Sequence, residues 1–195
     1  MKRSDLQKYL NSATQVSDMV LKNLKRVAEL VQNFKQIAVD RTSEQPRTFE
    51  VKKYLNHIVS SLQSNMKAAN QHNIEIMCDT DITVSTYAVG FSQIVTNLLE
   101  NSIIHGFQNK PEGKITIEVT TSQDNQLILR HFDNGSGMSG EVRQQIFEPF
   151  FAVNRQTGMG LGLNIVFNLV KHLQGTIDCE SIEGSGTSFT ISIPM

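Results

Sequence analysis

The stretch NLLENSIIHGF, residues 97–107, decides the reading of this chain. Within it Asn97, Asn101 and His105 recur every four residues, so they share one face of a helix. Phe91, Ile94, Leu98 and Ile103 take the opposite, buried face. An asparagine carbonyl is a hard neutral oxygen, suited to one corner of an octahedral Mg²⁺ whose other ligands are phosphate oxygens and water. Two asparagines alone are more often plain exposed helix residues. Two stretches downstream change that weighting: DNGSGM at 133–138 and GMGLGL at 158–163, with IFEPFF at 146–151 between them.

Asp133 ends a strand-like run and opens a glycine turn. A carboxylate there can accept a hydrogen bond from the exocyclic amine of adenine, whereas guanine presents a carbonyl oxygen at that position and is repelled. Gly135 and Gly137 allow backbone to lie close to a base without a Cβ in the way. GMGLGL precedes a helix starting near Gly162, whose N-terminal amides face an anion such as phosphate. Its glycines fall at 158, 160 and 162, not in the spacing GxGxxG, and the pattern Gx4GK[ST] is absent. A Rossmann or P-loop reading is therefore disfavoured.

Working outward, two segments divide near residues 40–46. Residues 4–39 contain no Gly or Pro and place Val16, Val20, Val27, Leu30, Val31, Phe34 and Ile37 on one stripe, widened by Met19, Leu24 and Ala38. Such a helix is about 50 Å long, more than a small domain covers, so its stripe is expected to pair with other helices. DRTSEQPR, with Pro46, reads as a hinge. Beyond it come a short strand RTFEV, a helix over 52–69, strands IEIMCD and ITVS, and a long helix over 87–107. Strands ITIEVTT and LILRHFD, a short helix over 141–147, a helix over 162–173 stopped by Gly175, and a final strand pair around the turn 184–186 complete the chain. Helices with mostly antiparallel strands predict a two-layer α/β sandwich preceded by a long amphipathic helix, with domains at 1–45 and 46–195.

Composition narrows the function classes. The formal charge of −1 over 195 residues gives no electrostatic footprint for a nucleic-acid partner. Two cysteines, Cys78 and Cys179, each within a strand-like run, fit a reducing compartment better than a disulfide scaffold. No apolar stretch reaches the roughly 18 residues that span a bilayer, so no membrane contact by this segment and a cytoplasmic location are expected, including as the cytosolic part of a membrane-bound sensor.

On these motifs residues 49–195 resemble the catalytic ATP-binding domain of a sensor histidine kinase, in the superfamily that includes DNA gyrase, MutL and a heat-shock chaperone (the Bergerat fold). Residues 97–107 match its N box, 133–137 its first glycine box, 146–151 its F box and 158–163 its second glycine box, while 184–187 resembles its last glycine turn. The resemblance implies that Asn101 binds Mg²⁺, Asn97 contacts phosphate and Asp133 holds adenine. It implies further nucleotide contacts from His105, Gly135, Gly137, Phe150, Gly158, Gly160, Leu161, Gly162, Leu163 and Thr187, with 150–159 as a mobile lid. The N-terminal helix resembles the second helix of the kinase dimerisation domain, which implies a homodimer. Two departures stand out. Ile104 occupies the place where the family usually has a basic residue for phosphate, with His105 following as a weaker, pH-dependent cation, and in the lid Arg155 is the one candidate to steady the γ-phosphate.

A histidine kinase phosphorylates a histidine that is normally followed by an acid. The five histidines here precede Ile58, Asn73, Gly106, Phe132 and Leu173, and none lies on the N-terminal helix. The expected activity is therefore transfer of the γ-phosphoryl of ATP to a histidine-bearing helix of the same parent or of a separate phosphotransfer protein, and onward to a response regulator. Glu100, beside the asparagine face, is a candidate to orient that nucleophile, with a solvated helix acid as the equal alternative. Two rival readings are a nucleotide-binding regulatory module without transfer and a gyrase-type ATPase. The ATPase would need a water-activating acid four residues before the Mg²⁺-binding Asn, where Asn97 stands.

Overall fold

Alternating apolar residues between positions 73 and 194 build one five-stranded sheet. The computed structural model describes residues 12–17, 19–21, 24, 45–108, 110–153 and 158–195. By its contacts the chain divides into two compact units, Met1–Thr42 and Ser43–Met195. In the first unit residues 12–17, 19–21 and 24 are helical, and Val16, Met19, Val20, Leu21 and Leu24 are exposed. The rest of the helix expected over 4–39 lies outside the described residues, as does most of the hinge.

The second unit runs β1 (Arg47–Glu50), α1 (Val51–Asn65), a 3₁₀ turn (Lys67–Gln71), β2 (Asn73–Cys78), β3 (Thr83–Thr86) and α2 (Ala88–Asn101), which continues into a π turn (Ser102–Gly106). There follow β4 (Lys114–Thr121), β5 (Gln126–Asp133), α3 (Gly140–Gln145), α4 (Gly162–His172), β6 (Thr176–Ile182) and β7 (Gly186–Pro194). The main sheet has the order β2-β4-β5-β7-β6, and β1 pairs with β3 in a separate two-stranded ribbon. Only β2 and β4 are parallel, and the other pairs are antiparallel. This is the expected two-layer α/β sandwich.

Period-2 alternation buries Ile115, Ile117 and Val119 on β4, Leu127 and Leu129 on β5, and Phe189, Ile191 and Ile193 on β7. The helices bury Leu55, Ile58 and Leu62 of α1, Phe91, Ile94, Val95, Leu98 and Leu99 of α2, and Ile165, Val166, Leu169 and Val170 of α4. Phe49 of the ribbon stacks against Tyr54 at 4.6 Å and Phe91 at 5.7 Å, and the Tyr54 hydroxyl donates to the Ala88 carbonyl at 3.0 Å. Those contacts tie the ribbon and α1 to the first turn of α2.

Three local expectations are corrected. The helix over 52–69 stops at Asn65, where Met66 turns extended and the Asn70 side chain takes the Gln63 carbonyl at 3.0 Å. The helix over 87–107 is α-helical only to Asn101, because the Phe107 amide bonds five residues back to Ser102. At the end of α4 the left-handed residue is Gln174, not Gly175. Gly175 is small for another reason: a Cβ there would lie 2.4 Å from the Ser192 carbonyl oxygen of β7.

Candidate functional site

Helix α2 delivers the asparagines to one end of the sheet. Asn97 is buried, its Oδ1 accepts from Gln93 Nε2 at 3.3 Å, and its Nδ2 has no partner among the described residues. Asn101 one turn on has the same feature, a buried Nδ2 without an acceptor. A buried amide donor left unmade costs about 1–3 kcal/mol. Two of them on one helix face are donors the fold itself does not use, and anionic oxygens are the natural acceptors.

The segment 158–162 lies against Asn101 and His105. A Cβ built on Gly162 would sit 3.5 Å from Asn101 Nδ2, and one on Gly158 would sit 3.7 Å from His105 Nε2. The asparagine and histidine thus keep their common direction despite the π turn, and each meets a glycine that presents bare backbone. Gly162 is the first residue of α4, whose first turn carries no side-chain cap and no acid. Its amides are the uncapped, partially positive end of an eleven-residue helix.

Asp133 is the last residue of β5 and is buried. Ser102 Oγ donates to its Oδ2 at 2.8 Å, the Gly135 amide to its Oδ1 at 2.9 Å, and the Thr187 amide adds a further bond. Burial pushes its carboxyl up from the ordinary range, against the lowering effect of those bonds and of the Lys110 charge. The π turn creates this arrangement, because it brings Ser102 under the carboxylate and frees the Gly106 carbonyl to accept from the Ser136 amide at 2.9 Å. A Cβ on Gly135 would come within 2.7 Å of both Asp133 Oδ1 and the Gly106 oxygen. The tightness at Gly135 is therefore internal to the turn. Gly137 likewise answers to the chain itself, since its Cβ would lie 2.0 Å from the Ile182 carbonyl oxygen.

Phe150 and Gly160 close a loop at its base. The Phe150 amide donates to the Gly160 carbonyl at 3.1 Å, both residues have positive φ, and Phe150 is exposed. A side chain on Gly160 would meet the Phe151 carbonyl at 2.1 Å, so only glycine fits this crossing. Arg155, within the loop, lies outside the described residues. Leu161 and Leu163 flank the α4 start half-buried, and Thr187 is buried with its hydroxyl 3.0 Å from Ser181 Oγ. Glu100 is half-buried beside Asn101, and burial raises its carboxyl. Burial lowers His105.

Sequence reasoning missed Ser102 and Lys110. Lys110 Nζ donates to the Asn134 carbonyl at 2.7 Å, within the turn that Asp133 opens. Nothing in local spacing flags either residue, because the contacts join segments far apart in the chain. Among the described residues no group of three or more His, Cys, Asp or Glu could hold a metal ion. A cation here would draw ligands from Asn101 Oδ1 and from phosphate oxygens, which the two unpartnered amides and the bare α4 terminus fit.

The sequence profile of the histidine kinase-, DNA gyrase B-, and HSP90-like ATPases matches residues 86–195. Sporulation kinase B of Bacillus subtilis (strain 168) is 28% identical over 184 residues, covering 94% of this chain and 41% of that protein. Sensor protein EvgS of Escherichia coli (strain K12) is 40% identical over 110 residues, 54% of this chain and 9% of that protein. The chain therefore spans less than half the length of either relative. Among solved structures, the Acinetobacter baumannii histidine kinase AdeS superposes with a TM-score of 0.72 at 22% identity, covering 91% of this chain and 83% of that one. The catalytic domain of histidine kinase ThkA superposes with a TM-score of 0.66 at 22% identity, covering 77% and 95%. At such identities the structural likeness speaks to the fold. No helix among the described residues is long and apolar enough to cross a membrane.

Proposed function

This chain belongs to the histidine kinase-, DNA gyrase B-, and HSP90-like ATPase family, and from that premise we propose that it is the catalytic ATP-binding domain of a two-component sensor histidine kinase. The observation that carries the reading is a buried, turn-held carboxylate together with two unpartnered buried amides on α2, one of them, Asn101, against the bare start of α4. A base that offers an amine suits the carboxylate and a polyphosphate suits the amides.

In this proposal Asp133 accepts the adenine amine, and the immobilising bonds from Ser102 and Gly135 keep it from turning away. Asn97 donates to a phosphate oxygen, the α4 amides at Gly162 and Leu163 hold the polyphosphate, and Gly158 and Gly160 let the backbone approach it. Asn101 would hold Mg²⁺ through Oδ1, and the cation supplies charge neutralisation of the γ-phosphoryl when bound. His105 adds a contact near Gly158 and Arg155 steadies the γ-phosphate from the lid. Because phosphoryl transfer asks the protein chiefly for positioning and charge stabilisation, this set suffices without a covalent residue. Glu100, with its carboxyl raised by burial, is placed in sequence to orient an incoming imidazole.

The acceptor histidine belongs to another helix, of the same parent or of a separate phosphotransfer protein, and a response regulator receives the phosphoryl next. The domain boundary is near residues 40–46, and the N-terminal helix pairs with a second copy. A regulatory module without transfer is the second reading, favoured by Ile104 in the place of a phosphate-binding cation. One assay separates the two: labelled ATP with a supplied histidine-bearing helix gives acid-labile label on that helix under the kinase reading. Tight ATP binding with no label under the same conditions selects the regulatory one.

A further inference from the structure

The turn 133–135 is held by a segment that the nucleotide reading does not use. After the π turn the chain crosses 107–113 and enters β4. Along it the Gly113 amide donates to His72 Nδ1 at 3.0 Å, and the His72 ring stacks on Phe107 at 4.5 Å. A Cβ on Gly113 would lie 2.4 Å from the Phe107 ring, so this crossing is tightly packed. At its end the Lys114 amide donates to Asn134 Oδ1 at 2.8 Å and the Asn134 amide returns a bond to the Lys114 carbonyl at 3.2 Å.

Lys110 completes the grip. Its ammonium donates to the Asn134 carbonyl at 2.7 Å, and its charge acts on the Asp133 carboxylate next along the chain. The ion pairs among the described residues are Lys114 with Glu75 and Arg130 with Glu118. The Lys110 cation is thus half-buried and directed at a neutral carbonyl, with no carboxylate in salt-bridge range among the described residues. Removing a strongly hydrated ammonium partly from water for one carbonyl gains little for folding alone.

We propose that Lys110 is a positioning residue for the base-recognising carboxylate, fixing the turn through the Asn134 carbonyl and setting the field in which Asp133 accepts its hydrogen bonds. This rests on the nucleotide reading above and adds to it a charged group that acts on Asp133 beside the bonds from Ser102, Gly135 and Thr187. The other titratable groups around Asp133 do not supply that field. His131, on the same face of β5, is fully buried and neutral, held down to about 4 by burial. Cys179 on β6 is pushed up to about 12, also by burial. The Lys114 charge is taken by Glu75. The bonds from Ser102, Gly135 and Thr187 lower the Asp133 carboxyl against burial, and loss of the Lys110 charge removes the one charged contribution that acts with them, so the carboxyl rises.

The test is titration of ATP, by calorimetry from about pH 5 to about pH 8, into the unmutated chain, Lys110→Met, Lys110→Gln, Lys110→Arg and Asp133→Asn. Lys110→Met should weaken ATP about fivefold at neutral pH, the loss growing on acidification because affinity now falls away at a higher pH. Lys110→Gln keeps a donor for the Asn134 carbonyl without the charge. It should share the displaced pH profile, and it carries the test if Lys110→Met does not fold. Lys110→Arg should restore the profile. A uniform loss of affinity with an unmoved pH profile in the two uncharged variants would overturn the inference. Failure of the unmutated chain to bind ATP, or binding indifferent to Asp133→Asn, would instead remove the nucleotide reading itself.

Discussion

Asp133→Asn tests the site at its most specific atom. In the folded domain the carboxylate accepts from Ser102 Oγ at 2.8 Å and from the Gly135 amide at 2.9 Å. An asparagine keeps a carbonyl oxygen for Gly135, and its amide faces a serine hydroxyl that can rotate to accept instead of donate. With the Thr187 amide also donating to this carboxyl, the fold loses one or two hydrogen bonds, about 1–3 kcal/mol. Relief of a charge that burial disfavours offsets that loss. The effect on ligand is larger, because the new amide meets the adenine amine donor to donor. Losing one charge-assisted bond in a buried setting costs about 1.5–3 kcal/mol, or roughly 10- to 150-fold in affinity. Guanine presents a carbonyl at the same place, so GTP should bind the variant better than it binds the parent. Calorimetry with both nucleotides, beside urea unfolding of both proteins, reads the two effects separately. A variant that unfolds like the parent and retains the parent's ATP to GTP preference would refute the assignment of Asp133 to the base.

His131 is fully buried, its ring nitrogens meet no partner within hydrogen-bond geometry among the described residues, and burial holds its pKa down to about 4 from 6.5 against a weaker raising effect of its own backbone. Protonation then favours the unfolded chain, so stability present above about pH 6.5 is lost as pH falls toward about 4, by roughly 3 kcal/mol in all. His131→Leu should flatten that acid limb in pH-dependent urea unfolding, and an unchanged slope would show that other groups set it. The chain alone should carry no acid-labile label after incubation with labelled ATP and Mg²⁺, and a phosphohistidine mapped to any of its five histidines would contradict the reading of their contexts. Val20→Glu combined with Val27→Glu should shift the chain toward monomer in sedimentation without changing ATP affinity. The proposed pairing would be driven by removing large apolar side chains from water, at roughly 1.5–3 kcal/mol each. A monomeric parent at tens of micromolar, well above a typical micromolar dissociation constant, would oppose it.

The spacing of Asn97, Asn101 and His105, the turn at 133–138 and the glycines at 158–162 are local patterns, and a helix or turn made by adjacent residues can be read from adjacent residues. The strand alternation that buries Ile115 and Ile117 on β4 and Leu127 and Leu129 on β5 is equally local, so the two-layer sandwich is legible in the sequence. Tertiary structure decided what the local patterns leave open. The π turn after Asn101 arises where Ser102, Gly106 and Asp133 must meet, and the bond from Ser102 to Asp133 spans 31 residues of chain. The contact of Lys110 with Asn134 spans 24. The opposition of Asn101 and His105 to Gly162 and Gly158 likewise exists only once α2 and α4 pack together on the sheet. Periodicity assigns a residue to a face, but a carboxylate's proton affinity and a glycine's necessity depend on which distant atoms fold in beside it. Those neighbours are chosen by strand register and helix packing, and no window of sequence contains them.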